Sequence, residues 1–398
     1  MTVKIYSSNS WKKYFERNVD NQHVVSGLKI DVVPCGTIAI DARDGGFGVF
    51  NADGKFVKSS LQIRKNNGQF IPKLSENIPY MDEDVLYFGN VYPMFGHFLL
   101  EHMNRAYGLL HDEFKKHKVV LVNNKQVEKV PQYMFDLIQL LGVKRDDIIV
   151  LNSSMQFRSV VIPHQGFNIP IMSSVEFGDA YAAMAENAHG KSYDKVYLSR
   201  DKMPERRTYG ERQIQKIFEK NGFTIVYPET LSIEEQVAAV KNCRMLAGCA
   251  GTAMHLALFM PRGGTVIQLK RNSKNGGSAP TQYLINKTKG LESVFVSPSI
   301  EAVPTLHYSN APQIIGVNKY LKQFFDDYGF EYSDDDIALD DVAIKEYRAA
   351  MAEYKKKSGS VFANKIKHAL IKYTACLIPG RERRGRYRAY MKSRFVVK

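Results

Sequence analysis

From about residue 85 the chain alternates short unbroken apolar runs with stretches whose apolar residues recur every three or four positions. The runs DVLYFG, KVVLVN, DIIVLN and SVVIP read as buried strands, and the intervening periodicity predicts helices over 96–110 and near 133–141. A connecting helix is expected over 175–188, after which the alternation starts again. KVYLSR and TIVYPE read as strands, 211–221 as a helix stopped by Gly222, and 233–240 as a second helix. RMLAG, a glycine-flanked turn, a helix from Ala253 and the strand TVIQLK complete the unit. Apolar strands alternating with amphipathic helices predict parallel sheets covered on both faces. The first ninety residues differ, being short extended runs broken by turns, and Ala52-Asp53-Gly54 between apolar runs signals a hairpin. The pattern therefore predicts two α/β halves joined near residue 170. Such a pair leaves a cleft at the carboxyl ends of its strands, the usual place for a ligand in open α/β structures.

Length and composition bound this picture. With 398 residues and 44% hydrophobic content, the chain can fill two cores, which excludes disorder of the whole. The net charge of +14 is not spread evenly: residues 354–398 carry 14 of the 55 Lys and Arg residues and one of the 41 acids, so the body before them is nearly neutral. Just ahead of this polycation, residues 325–341 hold eight carboxylates and no base. Within the tail, Phe362, Ile366, Ala369, Leu370, Tyr373 and Leu377 recur at helical spacing, with Lys365, His368 and Lys372 off that face. An apolar stripe flanked by cations suits an anionic membrane surface. Packing back on the body is the plain alternative, and nucleic-acid binding ranks last because no recognition motif accompanies the basic run. Four scattered cysteines without metal-ligand spacing suit a reducing compartment. Neither a signal-peptide core nor about 18 consecutive apolar residues is visible, so the expected location is cytoplasmic, peripheral on the inner face of the cell membrane.

The most informative stretches are VYLSRDKMPERRTYGERQI, GFTIVYPETLSIEEQ and MLAGCAGTAMHLALFMPRGGTVIQL, which follow one another between residues 195 and 269. In order and spacing they resemble the carboxyl-terminal half of the glycosyltransferase family 61 domain. FGHFLLEHMNRAY, from Phe95, resembles the same family's amino-terminal helix motif. The resemblance covers both halves and leaves the tail outside. It implies a GT-B-like α/β fold of two facing Rossmann-like domains with a basic helical tail: an acceptor-side domain at 1–170, a nucleotide-sugar-binding domain at 171–330, and an acidic linker and tail at 331–398. It also implies inverting, metal-independent transfer from a nucleotide-sugar donor, UDP-linked as the first choice, to a glycan or lipid-linked glycan acceptor, without a cofactor and without nucleic acid. Bacterial relatives act in capsule or lipopolysaccharide assembly.

The residues support that chemistry. A diphosphate becomes a better leaving group when fixed positive charge meets its growing negative charge, and guanidinium groups bind phosphate oxygens two at a time. Arg200 at a strand end and Arg207 are the candidates, with Arg206 less favoured; Glu211 is expected either to cap its helix or to brace an arginine. Gly248, Gly251, Thr252, Ala253 and His255 form a strand-to-helix turn whose backbone can approach an anion closely. In this turn Ala250 stands where many relatives carry His, and His255 is expected either to replace that function from one turn along or to be a buried capping residue. Gln268 stands where many relatives carry Glu. These two departures keep open a second reading, a non-catalytic sugar- or nucleotide-binding module. In the first half, His97 is the candidate base, Glu101 its orienting partner or the base itself, and Arg105 a donor-phosphate contact across the cleft. No Asp-X-Asp triplet follows a sheet strand, so metal dependence is not expected.

Overall fold

A computed structural model describes residues 2–41, 45–63, 71–124, 127–203, 208–271, 278–300, 311–338 and 340–356. Arg206, Arg207 and the amphipathic and basic run beyond residue 356 lie outside the described residues. The molecule is mixed α/β and holds two large sheets. One has six parallel strands in the order Val3–Tyr6, Glu292–Val296, Thr265–Leu269, Met245–Cys249, Lys195–Leu198, Thr224–Val226. The other has seven strands, with Met155–Pro163, Tyr80–Asn90, Lys118–Val122 and Ile148–Leu151 in parallel and Ile30–Pro34, Thr37–Asp41 and Gly46–Phe50 antiparallel at its opposite side.

Alternation along each strand builds the layers. Val196 and Leu198 face one way with Leu246 and Val266, while Tyr197 faces the other with Ala247 and Ile267. The first of these faces merges with Leu86, Leu121 and Val161 of the seven-stranded sheet into one apolar core, so the two sheets share a filling. Helix Val175–Asn187 lies in that core through Phe177, Tyr181 and Met184.

Three differences from the sequence reading are informative. Val3–Tyr6 does not begin the first half: it pairs in parallel with Glu292–Val296 at the edge of the six-stranded sheet. Four residues carry no partner information, and the buried neighbours Val294 and Val296 select them. The helix expected over 96–110 is not one α-helix. It is an α-turn at Phe95–His97, a π-turn at Phe98–His102 and a 3₁₀ segment at Met103–Leu110, buried from Phe98 to Leu109, so packing between the sheets overrides the ordinary period. The turn at 52–54 is present, with Gly54 at φ +73°, but it closes on a single antiparallel bridge between Phe50 and Phe56.

The strand order places a crevice. From Lys195–Leu198 the chain passes to Thr224–Val226 on one side, then crosses back to Met245–Cys249 on the other. This reversal opens the space beyond Leu198 and Cys249, where open α/β sheets receive ligands. The start of helix Glu211–Lys220 is fixed independently. Gly210 has φ +76°, and a Cβ there would lie 2.0 Å from the Ile315 carbonyl oxygen. Gly210→Ala is therefore expected to lower stability by more than about 2 kcal/mol in urea unfolding, whereas Gly→Ala at an exposed helical position usually raises it by about 0.5–1 kcal/mol.

Candidate functional site

Arg200 follows the strand Lys195–Leu198 directly into the crevice and is only 6% exposed. Its guanidinium lies over Gly251, where a Cβ would stand 2.9 Å from Nη1, so glycine is what leaves it room. The Arg200 Nε is buried without a hydrogen-bond partner, and no carboxylate among the described residues pairs with the group. A buried donor left without an acceptor costs about 1–3 kcal/mol, which a bound anion would offset. Beside it, Thr252 and Ala253 begin the 3₁₀ segment Thr252–Phe259, whose start no side chain caps. Arg200, Thr252 and Ala253 share the lining of a cleft of about 450 Å³. Phe95, Tyr133 and Asp136 line it from the first-half elements, and Pro228 and Leu231 from beyond Thr224–Val226.

Glu211 is fully buried and resolves its two expected roles in favour of bracing. Gly210 is the N-cap of its helix, and the Glu211 carboxylate instead accepts the backbone N–H of Arg200 (3.2 Å) and the hydroxyl of Tyr197 (3.3 Å). Burial raises its carboxyl from the usual range to about 7, partly countered by these hydrogen bonds and by the charge of Arg200.

On the other wall, His97 and Glu101 meet as expected. Nδ1 of His97 is hydrogen-bonded to the Glu101 carboxylate, which is 8% exposed against 23% for the imidazole. With Nδ1–H donated to a carboxylate, Nε2 is left as the basic nitrogen. The Tyr92 ring packs edge-on to the imidazole, 5.3 Å between centroids. His97 is not part of the cleft lining, but its neighbours are close: a Cβ on Gly96 would lie 2.4 Å from Cγ2 of Thr252. The dyad and the arginine crevice thus join at the Gly96–Thr252 contact.

Three of the expected donor contacts have other surroundings in the structure. Arg105 is buried and donates to the carbonyls of Pro163, Ser59 and Leu61 while lying over the Tyr87 ring, so it ties loops to the first sheet and does not line the cleft. Gly248 sits within its strand, where a Cβ would be 2.8 Å from the Leu198 carbonyl oxygen, so it serves strand packing. His255 is 5% exposed with Nδ1 3.2 Å from Gln282 Oε1, and burial lowers its pKa to about 4. It is a neutral packed histidine at neutral pH. Gln268 is likewise buried, in its strand, and does not line the cleft. Sequence reasoning missed Phe95 and Tyr133 as cleft walls, because aromatic residues on apolar faces carry no signal that separates core from site. Among the described residues, no group of three or more His, Cys, Asp or Glu is placed to hold a metal ion.

Residues 95–267 match the family model for Glycosyltransferase 61. The chain carries a glycosyltransferase domain. The matched segment begins at the wall of the His97–Glu101 dyad and ends past the Arg200–Gly251 crevice, so both halves of the site fall inside it. No curated protein matches the chain. In this glycosyltransferase the buried Glu211 also carries a stability signature. Its folded pKa is raised from 4.5 to about 7, so its contribution is favourable below pH 4.5, declines as pH rises to about 7 and is lost above it. Glu211→Gln is expected to unfold at higher urea concentration than the wild type at pH 8, by at most about 3 kcal/mol, with the difference gone near pH 4.5.

Proposed function

We propose that this glycosyltransferase transfers a sugar from a nucleotide-sugar donor to a glycan acceptor with inversion, in a GT-B-like arrangement whose six-stranded-sheet side grips the donor and whose first-half side presents the acceptor. The observation that carries the reading is the unpartnered Arg200 guanidinium lying over Gly251 in the strand-order crevice. There it meets the charge that develops on the departing diphosphate. The mainly apolar cleft walls beside it suit the nucleoside or the sugar face. The acceptor hydroxyl attacks the anomeric carbon from the side opposite the diphosphate and gives its proton to Nε2 of His97, with Glu101 holding the imidazole and balancing the imidazolium that forms.

The cellular setting in this proposal is cell-surface polysaccharide synthesis, with the enzyme peripheral on the inner membrane face through its polycationic tail. Its support is compositional: residues 354–398 hold a net +13. No helix among the described residues is long and apolar enough to cross a membrane.

Turnover of UDP-, GDP- and dTDP-sugars tests the reading. Arg200→Ala and His97→Ala are each expected to cut the rate at least about 100-fold without lowering the melting temperature of Arg200→Ala. Full activity in both variants would exclude the proposed roles. Deleting residues 354–398 is expected to abolish binding to vesicles containing anionic lipid while leaving soluble donor turnover intact; vesicle binding by the truncated chain would refute the tail's role.

A further inference from the structure

Arg200 has no side-chain partner to orient it, so its direction depends on what holds its backbone. The strand ends at Leu198, and Ser199 is tied by its N–H to the Val226 carbonyl and by its hydroxyl to Gln215. The next N–H, that of Arg200, goes to the Glu211 carboxylate. Glu211 is itself set by Gly210, whose contact with Ile315 leaves no freedom at the helix start. A chain of contacts therefore runs from Ile315 through Gly210 and Glu211 to the residue facing the cleft.

We propose that Glu211 is a positioning residue of the donor site: by holding the Arg200 backbone and the Tyr197 hydroxyl, it fixes the guanidinium over Gly251 and supplies the nearby negative charge that lets a buried cation wait there unpaired. The proposal rests on the donor-site reading above. A carboxylate is a stronger acceptor for this N–H than a neutral group, and a buried one is costly, so its presence at the strand end calls for a task beyond packing. The ionisable groups facing it are Tyr197 from the strand Lys195–Leu198, Arg200 just past its end and Cys249 from the next strand. Thr224–Val226 adds none, and the helix Asp334–Ile337 brings Asp336 to Lys220 at the far end of the same helix. With a carboxyl lifted to about 7, both charge forms are present at neutral pH, and the charged one is the better clamp.

The test is a double-mutant cycle of Arg200→Ala and Glu211→Gln, read by steady-state turnover of whichever UDP-, GDP- or dTDP-sugar the wild type uses. The glutamine keeps the volume and one acceptor oxygen, so the fold is retained, as its melting temperature will show. Glu211→Gln alone is expected to lower kcat about tenfold with a smaller change in donor KM, and to alter the pH dependence of kcat around pH 7. In the Arg200→Ala background it is expected to add less than about twofold. Fully additive losses, or an unchanged pH profile, would overturn the positioning role while leaving the donor site standing. If Arg200→Ala alone has no effect, the donor reading itself fails and this inference falls with it.

Discussion

The arrangement depends on one buried guanidinium that the protein leaves unsatisfied. Arg200 is 6% exposed, has no hydrogen bond at its buried Nε and forms no ion pair among the described residues. Such a group persists only where surrounding structure holds it firmly and an opposite charge stands near. The parallel strands on either side of the crevice supply the firmness, Gly251 the space, and Glu211 the charge. An anion arriving at this point gains a partner that the folded protein has already oriented, so little reorganisation accompanies its binding.

A second constraint brings the two walls of the site into register. The sheets share a single apolar core running from Leu86 and Phe98 through Tyr181 to Leu246 and Phe259. The backbone at Gly96 then approaches Thr252 too closely for any side chain. Because close-packed interiors resist small displacements, the spacing between the His97–Glu101 dyad and the Arg200 crevice is set by the core and not by the loops. The π-turn at Phe98–His102 belongs to the same account: widening the helix there accompanies the meeting of His97 and Glu101 on one side, as π-turns often do at functional sites.

Much of this was legible in the sequence. Strands such as Lys195–Leu198 and Met245–Cys249, and the helix Ile233–Val240, follow from local pattern alone. The pairing of His97 with Glu101, four residues apart, and the placing of Arg200 just past a strand end at the crevice were expected from the sequence, although the segment carrying the pair is a π-turn and not an ordinary helix. What was not legible depends on contacts distant in sequence. Val3–Tyr6 gives no hint that its partner is Glu292–Val296, and nothing local shows that Arg105 is consumed by the carbonyls of Ser59, Leu61 and Pro163. His255 looks like a ligand by motif and is a packed neutral side chain because burial decides its charge. Glu211 reads as a helix-start acid, and only the fold reveals that it reaches back to the preceding strand.

Titration calorimetry of nucleoside diphosphates, UDP first, against the wild type and Arg200→Ala addresses the central claim without requiring the acceptor. The account predicts that at least one of them binds the wild type and that the variant loses about tenfold or more of that affinity, as expected for a charged hydrogen bond to phosphate. Equal affinity for the two proteins, or no binding of any nucleoside diphosphate to the wild type, would contradict it.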